Sequence, residues 1–505
     1  MAEFNDLPIE LLPFIIQYLV NLKPQHLAWP GQVSKAFYRC AVPKLYAFPM
    51  LHAVAGFDRS SNVAWNKVEL DSLSFFAERY AFSNERIKLQ VKQLLWTLAN
   101  CPRLARFVVR LDIRYFPEVL GAAERDAVFS MCFKAIRNCR LLRSFAWTRD
   151  FSLSTRILYD LNRYCPNLDE LEFNGRPNGN YDPKALVNFI GLRSISVFAP
   201  GPEVMGMFPM WMVRTGDSLR SLTLNSTSSN HLVTDVLLES IAVSLMRLEQ
   251  IRIVGCRRVT HRGIYALFSK NIVGIRSLGL EGLSELFEMS EFVNNCQHTV
   301  ALTHLHSFTI TSPVTGVTSD WLTSLSQLLQ SSPLQTFYLY TPGGVSSAAE
   351  RLDDYPFVEE LCKSHGGTLI QFGVLSLRVR LDTLDILVEK CGNLEQLFVW
   401  MEQDDLIFFP STVSRAKFLQ SIHLNFVLWP GYHSDITLEG LHAIVKDCPS
   451  TVTQFGARNH ETSLNNVYRI PVPRRDGSGF DMRVKLGPLE NADTPEWLRG
   501  TVRVS

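Results

Sequence analysis

The residues able to do chemistry in this chain are few and scattered. Ten cysteines are the main nucleophilic group, yet none forms a CxxC pair and no His/Cys spacing matches a zinc site. Cys139, Cys165, Cys391 and Cys448 each precede by three or four residues the apolar residue that opens a repeating unit. Cys101 holds the same phase if Leu104 opens one. Such phasing suits small, apolar packing residues better than redox or metal work. His304 and His306 flank Leu305 and read as turn or surface residues. Glu402, Asp404 and Asp405 form an acidic run that reads as a solvated loop, as do Arg474 and Arg475 near a turn. No phosphate loop, nucleophile elbow or metal motif is present. The sequence therefore offers no catalytic residue, no metal ligand and no cofactor site, and the chain reads as a non-enzyme.

Composition narrows the class further. The chain has 505 residues, 46% of them apolar, and a formal net charge of +1. A large buried core is available, and no global field argues for nucleic acid or membrane. No run of 18 apolar residues occurs. Glu3 and Asp6 stand where a secretory leader would carry basic charge, so the expected compartment is reducing: cytoplasm, nucleus or both. Asn225-Ser226-Thr227 matches a glycosylation sequon and is read as chance.

The elements that position everything else repeat. The unit is an apolar residue, two spacers, an apolar residue, one spacer and a third apolar residue. Clear copies are Leu142-Phe145-Trp147, Leu168-Leu171-Phe173, Leu192-Ile195-Val197, Leu219-Leu222-Leu224 and Leu248-Ile251-Ile253. They continue with Ile275-Leu278-Leu280, Leu305-Phe308-Ile310, Leu334-Phe337-Leu339 and Leu369-Phe372-Val374. The last are Leu394-Leu397-Val399, Leu419-Ile422-Leu424 and Val452-Phe455-Ala457. An earlier copy is either Leu104-Phe107-Val109 or Val108-Leu111-Ile113, the second preferred because it ends a strand on Leu-Asp-Ile. Successive copies start 24 to 35 residues apart, mostly at or near the spacing of leucine-rich repeats. The longer gaps after Leu334 and Leu419 imply inserted loops. Helices are expected between strands, at Asp235–Leu245, Gly263–Lys270, Trp321–Leu329, Leu381–Lys390 and Leu438–Lys446. Cys256 falls where this repeat class turns an Asn or Cys inward to bond backbone amides. The fold class is thus α/β: a leucine-rich-repeat arc or horseshoe of about 12–13 repeats.

Four regions follow: a helical unit over 1–48, a helical connector and cap over 49–103, the repeats over 104–458, and a tail over 459–505. Helical spacing in the connector involves Leu73, Phe76, Ala77 and Tyr80, then Leu89, Val91, Leu94, Leu95 and Leu98. The tail reads as a β-hairpin, 467–472 against 480–485, around Asp476-Gly477-Ser478-Gly479.

The first region carries Leu7-Pro8-Ile9-Glu10-Leu11-Leu12, Ile15/Ile16, Val33-Ser34-Lys35-Ala36-Phe37-Tyr38 and Pro43-Lys44-Leu45-Tyr46. Leu11, Leu12, Ile15, Ile16 and Leu19 form one apolar helical face. Pro13 predicts a short turn over 8–12 with the main helix from 13. Pro30 and Gly31 predict a break, and a second helix from about Gln32 to Ala41 should end before Pro43. Val33, Phe37 and Leu45 are its buried candidates. Such a small unit gains from a partner that covers its apolar face. These residues resemble an F-box. The resemblance implies a substrate-recognition subunit of an SCF-type E3 ubiquitin ligase, joined to a cullin through a Skp-type adaptor and directing proteasomal degradation. On that resemblance Leu7, Pro8, Leu11, Leu12, Ile15, Ile16, Leu19, Val33 and Phe37 would dock the adaptor.

The repeats would hold the protein substrate. Spacer residues of each strand point away from the core. Early strands offer Ser144, Ala146, Glu170, Glu172, Ser194, Ser196, Ser221 and Thr223. Later ones offer Tyr338, Tyr340, Phe398, Trp400 and His423, with Asn425 beside it, expected as an exposed recognition patch. Arg252 and Arg458 are the scattered arginines of this face, which argues against reading a phosphorylated partner. The alternative is a repeat scaffold or inhibitor with no ubiquitin role.

Overall fold

The computed structural model describes residues 11–14, 16, 30–47, 50–51, 89, 91–113, 122–149, 152–226, 231–297, 299–314, 316–341, 355–425, 438–457, 465–473 and 480–488. Among them sixteen strands form one sheet whose spatial order is the sequence order. They are β1 (Met50–Leu51), β2 (Arg110–Ile113), β3 (Ser144–Trp147), β4 (Glu170–Asn174), β5 (Ser194–Phe198), β6 (Ser221–Asn225), β7 (Gln250–Val254) and β8 (Ser277–Glu281). There follow β9 (Ser307–Thr311), β10 (Thr336–Tyr340), β11 (Gln371–Arg378), β12 (Gln396–Trp400), β13 (Ser421–Asn425), β14 (Gln454–Ala457), β15 (Asn465–Pro473) and β16 (Phe480–Pro488). Strands β1 to β14 run parallel, and helices return the chain between most of them. This is the α/β leucine-rich-repeat arc that the spacing predicts.

A shared carbonyl sets the register. At each strand entry two successive amides donate to one carbonyl of the strand before. Arg143 and Ser144 donate to Val109, at 2.7 and 3.0 Å, and Asp169 and Glu170 to Arg143, both at 2.9 Å. The pattern repeats without interruption to Thr453 and Gln454, which donate to Gln420 at 2.8 and 3.0 Å. In nearly every unit the three apolar positions then fall in one buried layer; Leu168 is only partly buried against it. Leu142, Phe145 and Trp147 are fully enclosed, as are Leu334, Phe337 and Leu339. Phe337 lies between Phe308 and Phe372, with ring centroids 6.5 and 6.2 Å away. For the ambiguous early copy the second register holds: Val108, Leu111 and Ile113 are buried, with β2 at 110–113.

Helix entries are capped between repeats as well as within them. Thr234 accepts from Leu237 N, and Thr260 from Arg262 N. Asp235 reaches across to the next helix, His261–Ser269, and accepts from Thr260 N at 2.8 Å, Thr260 Oγ1 at 2.7 Å and Gly263 N at 3.1 Å. A Cβ on Gly263 would stand 2.4 Å from Asp235 Oδ1, so only glycine lets the carboxylate approach. The five predicted helices are present, at Asp235–Ala242, His261–Ser269, Ser319–Leu329, Leu381–Lys390 and Leu438–Asp447.

The ends differ in part from the expectation. The connector opens with strand β1, paired to β2 through Met50↔Asp112 and Leu51↔Ile113, and residues 91–100 are helical. Two residues borrowing an existing edge leave no periodic signal to read. Leu73, Phe76, Ala77 and Tyr80 lie outside the described residues. The tail forms the antiparallel hairpin β15–β16, and β15 adds antiparallel to β14. Arg469 fastens it by donating to the carbonyls of Val452 and, at 2.9 Å, Pro449. The turn residues 474–479, with Arg474 and Arg475, are outside the described residues, as is Arg458.

The cysteines are all free thiols. Cys256 turns inward as expected, but it donates to the carbonyls of Val254 and Leu224, 3.4 and 3.9 Å away, because a thiol's one hydrogen seeks an acceptor. Burial pushes Cys132, Cys165, Cys256, Cys296 and Cys448 up to about 12 from an ordinary 9.0. The folded state thus favours the protonated thiol, and its advantage is lost as pH rises above 9, where the unfolded thiols ionise. Two outcomes are expected. At pH 8 a thiol-alkylating reagent should label Cys40 and Cys101 first, the two that are not buried. The thermal midpoint should fall as pH rises above 9; labelling of all ten at one rate would contradict this packing.

Candidate recognition surfaces

Two surfaces carry the residues singled out by the sequence. The first is a groove of about 650 Å³ on the spacer side of the sheet. Its floor is made of short hydroxyl side chains, Ser194, Ser196, Ser221, Thr223, Ser277 and Thr309 among them. Ser144, Glu170 and Glu172 also line it as expected; Ala146 is buried and does not. Short side chains keep the floor low, so a guest's main chain can approach the sheet closely.

Both groove arginines are tied to buried carboxylates. Arg110 donates twice to Asp112, at 2.9 and 3.2 Å. Burial pulls the Arg110 pKa down, but the bond and charge of Asp112, with Glu172 and Glu170 farther off, raise it on balance. Arg252 Nε donates to Glu281 Oε1 at 2.7 Å, and Tyr340 OH donates to the other oxygen of the same carboxylate. Glu281 is completely buried, a burial tolerable because both oxygens are bonded. Gly279 makes the contact possible: a Cβ there would sit 2.9 Å from Arg252 Cγ. Sequence reading noted Arg252 but missed this network. Its signal was a charged residue, Glu281, directly after the last apolar residue of a strand.

The structure gathers the five late residues but does not leave them exposed. Tyr338, Tyr340, Phe398, Trp400 and His423 are each only 3% to 6% exposed, which corrects the expectation of an open patch. For Tyr338 the reason is Gly373, which lies in register between Tyr338 and Phe398. A Cβ on it would stand 2.2 Å from Tyr338 Cδ1, so the tyrosine ring lies in the lane that glycine leaves. Tyr338 OH donates to Gln371 Oε1 at 3.0 Å, and burial pushes its phenol well above the ordinary range. Phe398 packs against His423 with ring centroids 4.3 Å apart and planes tilted by 34°, and His423 Nε2 lies 3.0 Å from Asn425 Oδ1. Tyr340, Leu375 and Phe398 form a small second core. Tyr338, Tyr340 and Phe398 form part of the groove wall.

The second surface is the N-terminal helical unit. Leu12, Ile16, Phe37 and Ala41 make its interior, with Leu45 partly buried against them. Val33 is 65% exposed, which corrects its place among the buried candidates. It ends the short helix Pro30–Val33, which begins at Pro30 rather than breaking there. The second helix is Lys35–Ala47 and contains Pro43. It continues because its last turn runs on toward the sheet, where Ala47 O accepts from Val109 N at 2.9 Å. Helix is already present at Leu12, so Pro13 sits in a first turn that has no amide bond to lose. Leu11, Phe14 and Tyr38 are exposed together with Val33. Leu7, Pro8, Ile15 and Leu19 lie outside the described residues.

Among the described residues no three His, Cys, Asp or Glu side chains are placed to hold a metal ion. His304 is exposed and His306 half-buried. Of the acidic run, Glu402 pairs with Arg378, while burial and then Glu402 raise the Asp405 pKa. No described helix is long and apolar enough to cross a membrane.

No family model matches the chain. No curated protein sequence matches it either. Among solved structures, it is similar to a chain of the yeast Rad7–Elc1 complex, with 14% identity and a TM-score of 0.39 over 72% of this chain and 95% of that one. It is also similar to the leucine-rich-repeat-containing protein LegL7 of Legionella pneumophila, with 13% identity and a TM-score of 0.34 over 61% and 90%. At these scores the assignment of fold rests on the sheet itself.

The buried carboxylate yields a test. Glu281→Gln and Tyr340→Phe should each lower stability by about 1–3 kcal/mol in urea unfolding. The double variant should lose clearly less than their sum, because each change breaks the same bond. Strictly additive losses would mean that the two side chains do not depend on one another.

Proposed function

We propose that this chain is the substrate-recognition subunit of an SCF-type E3 ubiquitin ligase. The N-terminal unit binds a Skp-type adaptor, which joins it to a cullin. The groove of the arc holds a target protein for ubiquitin transfer and degradation. The chain itself performs no chemistry; holding target and transfer machinery together raises their effective concentration. It works in the cytoplasm, the nucleus or both.

The observation that carries this reading is the division of apolar residues in the F-box-like unit. Leu12, Ile16 and Phe37 are used inside it, while Leu11, Phe14, Val33 and Tyr38 remain outside. Phe14 is 73% exposed, an arrangement that suits an obligate partner. Within the resembling segment, Leu11 and Val33 are therefore contact residues, and Leu12, Ile16 and Phe37 act by holding the unit's shape.

Co-purification with a Skp-type adaptor tests it. Wild-type chain should retain the adaptor, and Leu11→Asp/Val33→Asp should lose it with an unchanged thermal midpoint, since both positions are exposed. Failure of the wild type to bind would remove the ligase reading and leave a repeat scaffold or inhibitor in its place.

A further inference from the structure

The amides that set the strand register also place one residue per repeat on the rim where strands begin. Seven consecutive rungs are Arg143, Asp169, Arg193, Arg220, Glu249, Arg276 and His306, each joined to the next by a backbone hydrogen bond of 2.6 to 2.9 Å. Four of the seven are arginines and two are carboxylates. Glu249 is shared by Arg220, 3.7 Å away, and Arg276, 3.4 Å away. Asp169 is flanked by Arg143 and Arg193. The step from Arg193 to Arg220 has no acid on a rung between its two cations; the exposed Asp217 stands three residues before Arg220, whose guanidinium donates to the Asp217 carbonyl at 3.0 Å. Like charges on neighbouring rungs are unfavourable unless an anion lies between them.

The rim is apolar as well as basic. In the turns leading to these rungs Ile190 is 61% exposed and Ile272 64% exposed, and Met246 is exposed beside Ile272, whose amide donates to the Met246 carbonyl at 2.9 Å. Arg247 adds an exposed cation in the same row. Aliphatic side chains offer nothing to a sugar–phosphate backbone, and the acids at Asp169 and Glu249 interrupt what a continuous row of phosphates would need.

Spacing selects among acidic polypeptides. Rungs of a sheet are about 4.8 Å apart. One turn of an α-helix rises about 5.4 Å, so carboxylates on successive turns stay near successive rungs. In an extended chain, same-side residues are about 6.7 Å apart and lose register after two rungs.

We propose that this rim is a second docking surface, independent of the groove and of any adaptor contact, and that it receives an acidic amphipathic helix. The helix's carboxylates lie over Arg193, Arg220 and Arg276, the turn between the last two passing Glu249 with an uncharged residue, and its flanking aliphatic residues cover Ile190, Met246 and Ile272.

Fluorescence anisotropy on the full chain tests this with three labelled probes. The first is a helical peptide with glutamate on one face and leucine beside it. The second has the same composition with the glutamates distributed around the helix. The third is single-stranded DNA of equal length. The first probe should bind, and more weakly as salt is raised. Arg193→Glu/Arg220→Glu should weaken it by about tenfold or more and Arg193→Lys/Arg220→Lys should largely preserve it; both should keep the wild-type far-ultraviolet circular dichroism, the charge-reversed one melting lower because it sets a carboxylate beside Glu249. Equal binding of the scrambled peptide would overturn the helical spacing. Stronger binding of DNA, an unaffected charge-reversed variant, or no binding of the first probe would overturn the proposal.

Discussion

One carbonyl per repeat, accepting from two successive amides of the next strand, sets the frame of the arc from β3 to β14. The shared bond forces each new strand to enter in the same phase as the last. Once that phase is set, the residues around it have fixed roles. The one before it and the second and fourth strand residues face the core, the first and third face the groove, and the doubly bonded residue lines the rim. A repeat chain can carry several surfaces in this way, because each is one column of the same repeat. The periodic demand also explains why buried thiols recur ahead of the strands: Cys139, Cys165, Cys391 and Cys448 fill equivalent small gaps.

Within the groove, local chemistry depends on where side chains are missing. Gly279 gives Arg252 room to reach Glu281, and Gly373 gives Tyr338 room to lie down beside Phe398. These two positions turn a row of spacers into a bonded network at one strand and an aromatic cluster a few strands on. Burying Glu281 would be costly alone; with Arg252 and Tyr340 on its two oxygens it ties three strands of one face together.

The strands, the helices between them and the closing hairpin were legible in the sequence, because burial imposes the same apolar spacing on every copy. Residues whose fate depends on a neighbour in another repeat were not. Tyr338 and Phe398 read as exposed because the strand rule gives direction, not cover, and the cover follows from a glycine on β11. Val33 read as buried from its place in an apolar pattern, yet the chain bends at Ser34 and leaves it outside. Strand β1 is two residues long and exists only because β2 offers an edge. Pro43 marks a stop in isolation, but the helix is carried past it by its attachment to the sheet.

In the proposed function docking belongs to the N-terminal unit and presentation to the arc, and a backbone hydrogen bond from Val109 N to Ala47 O joins the two. Hydrogen–deuterium exchange of the full chain, with and without a Skp-type adaptor, tests that division most directly. New protection should be confined to peptides spanning 11–16 and 30–47, with the strand amides of β3 to β14 unchanged. Protection centred on the arc, or none in the N-terminal unit, would contradict it.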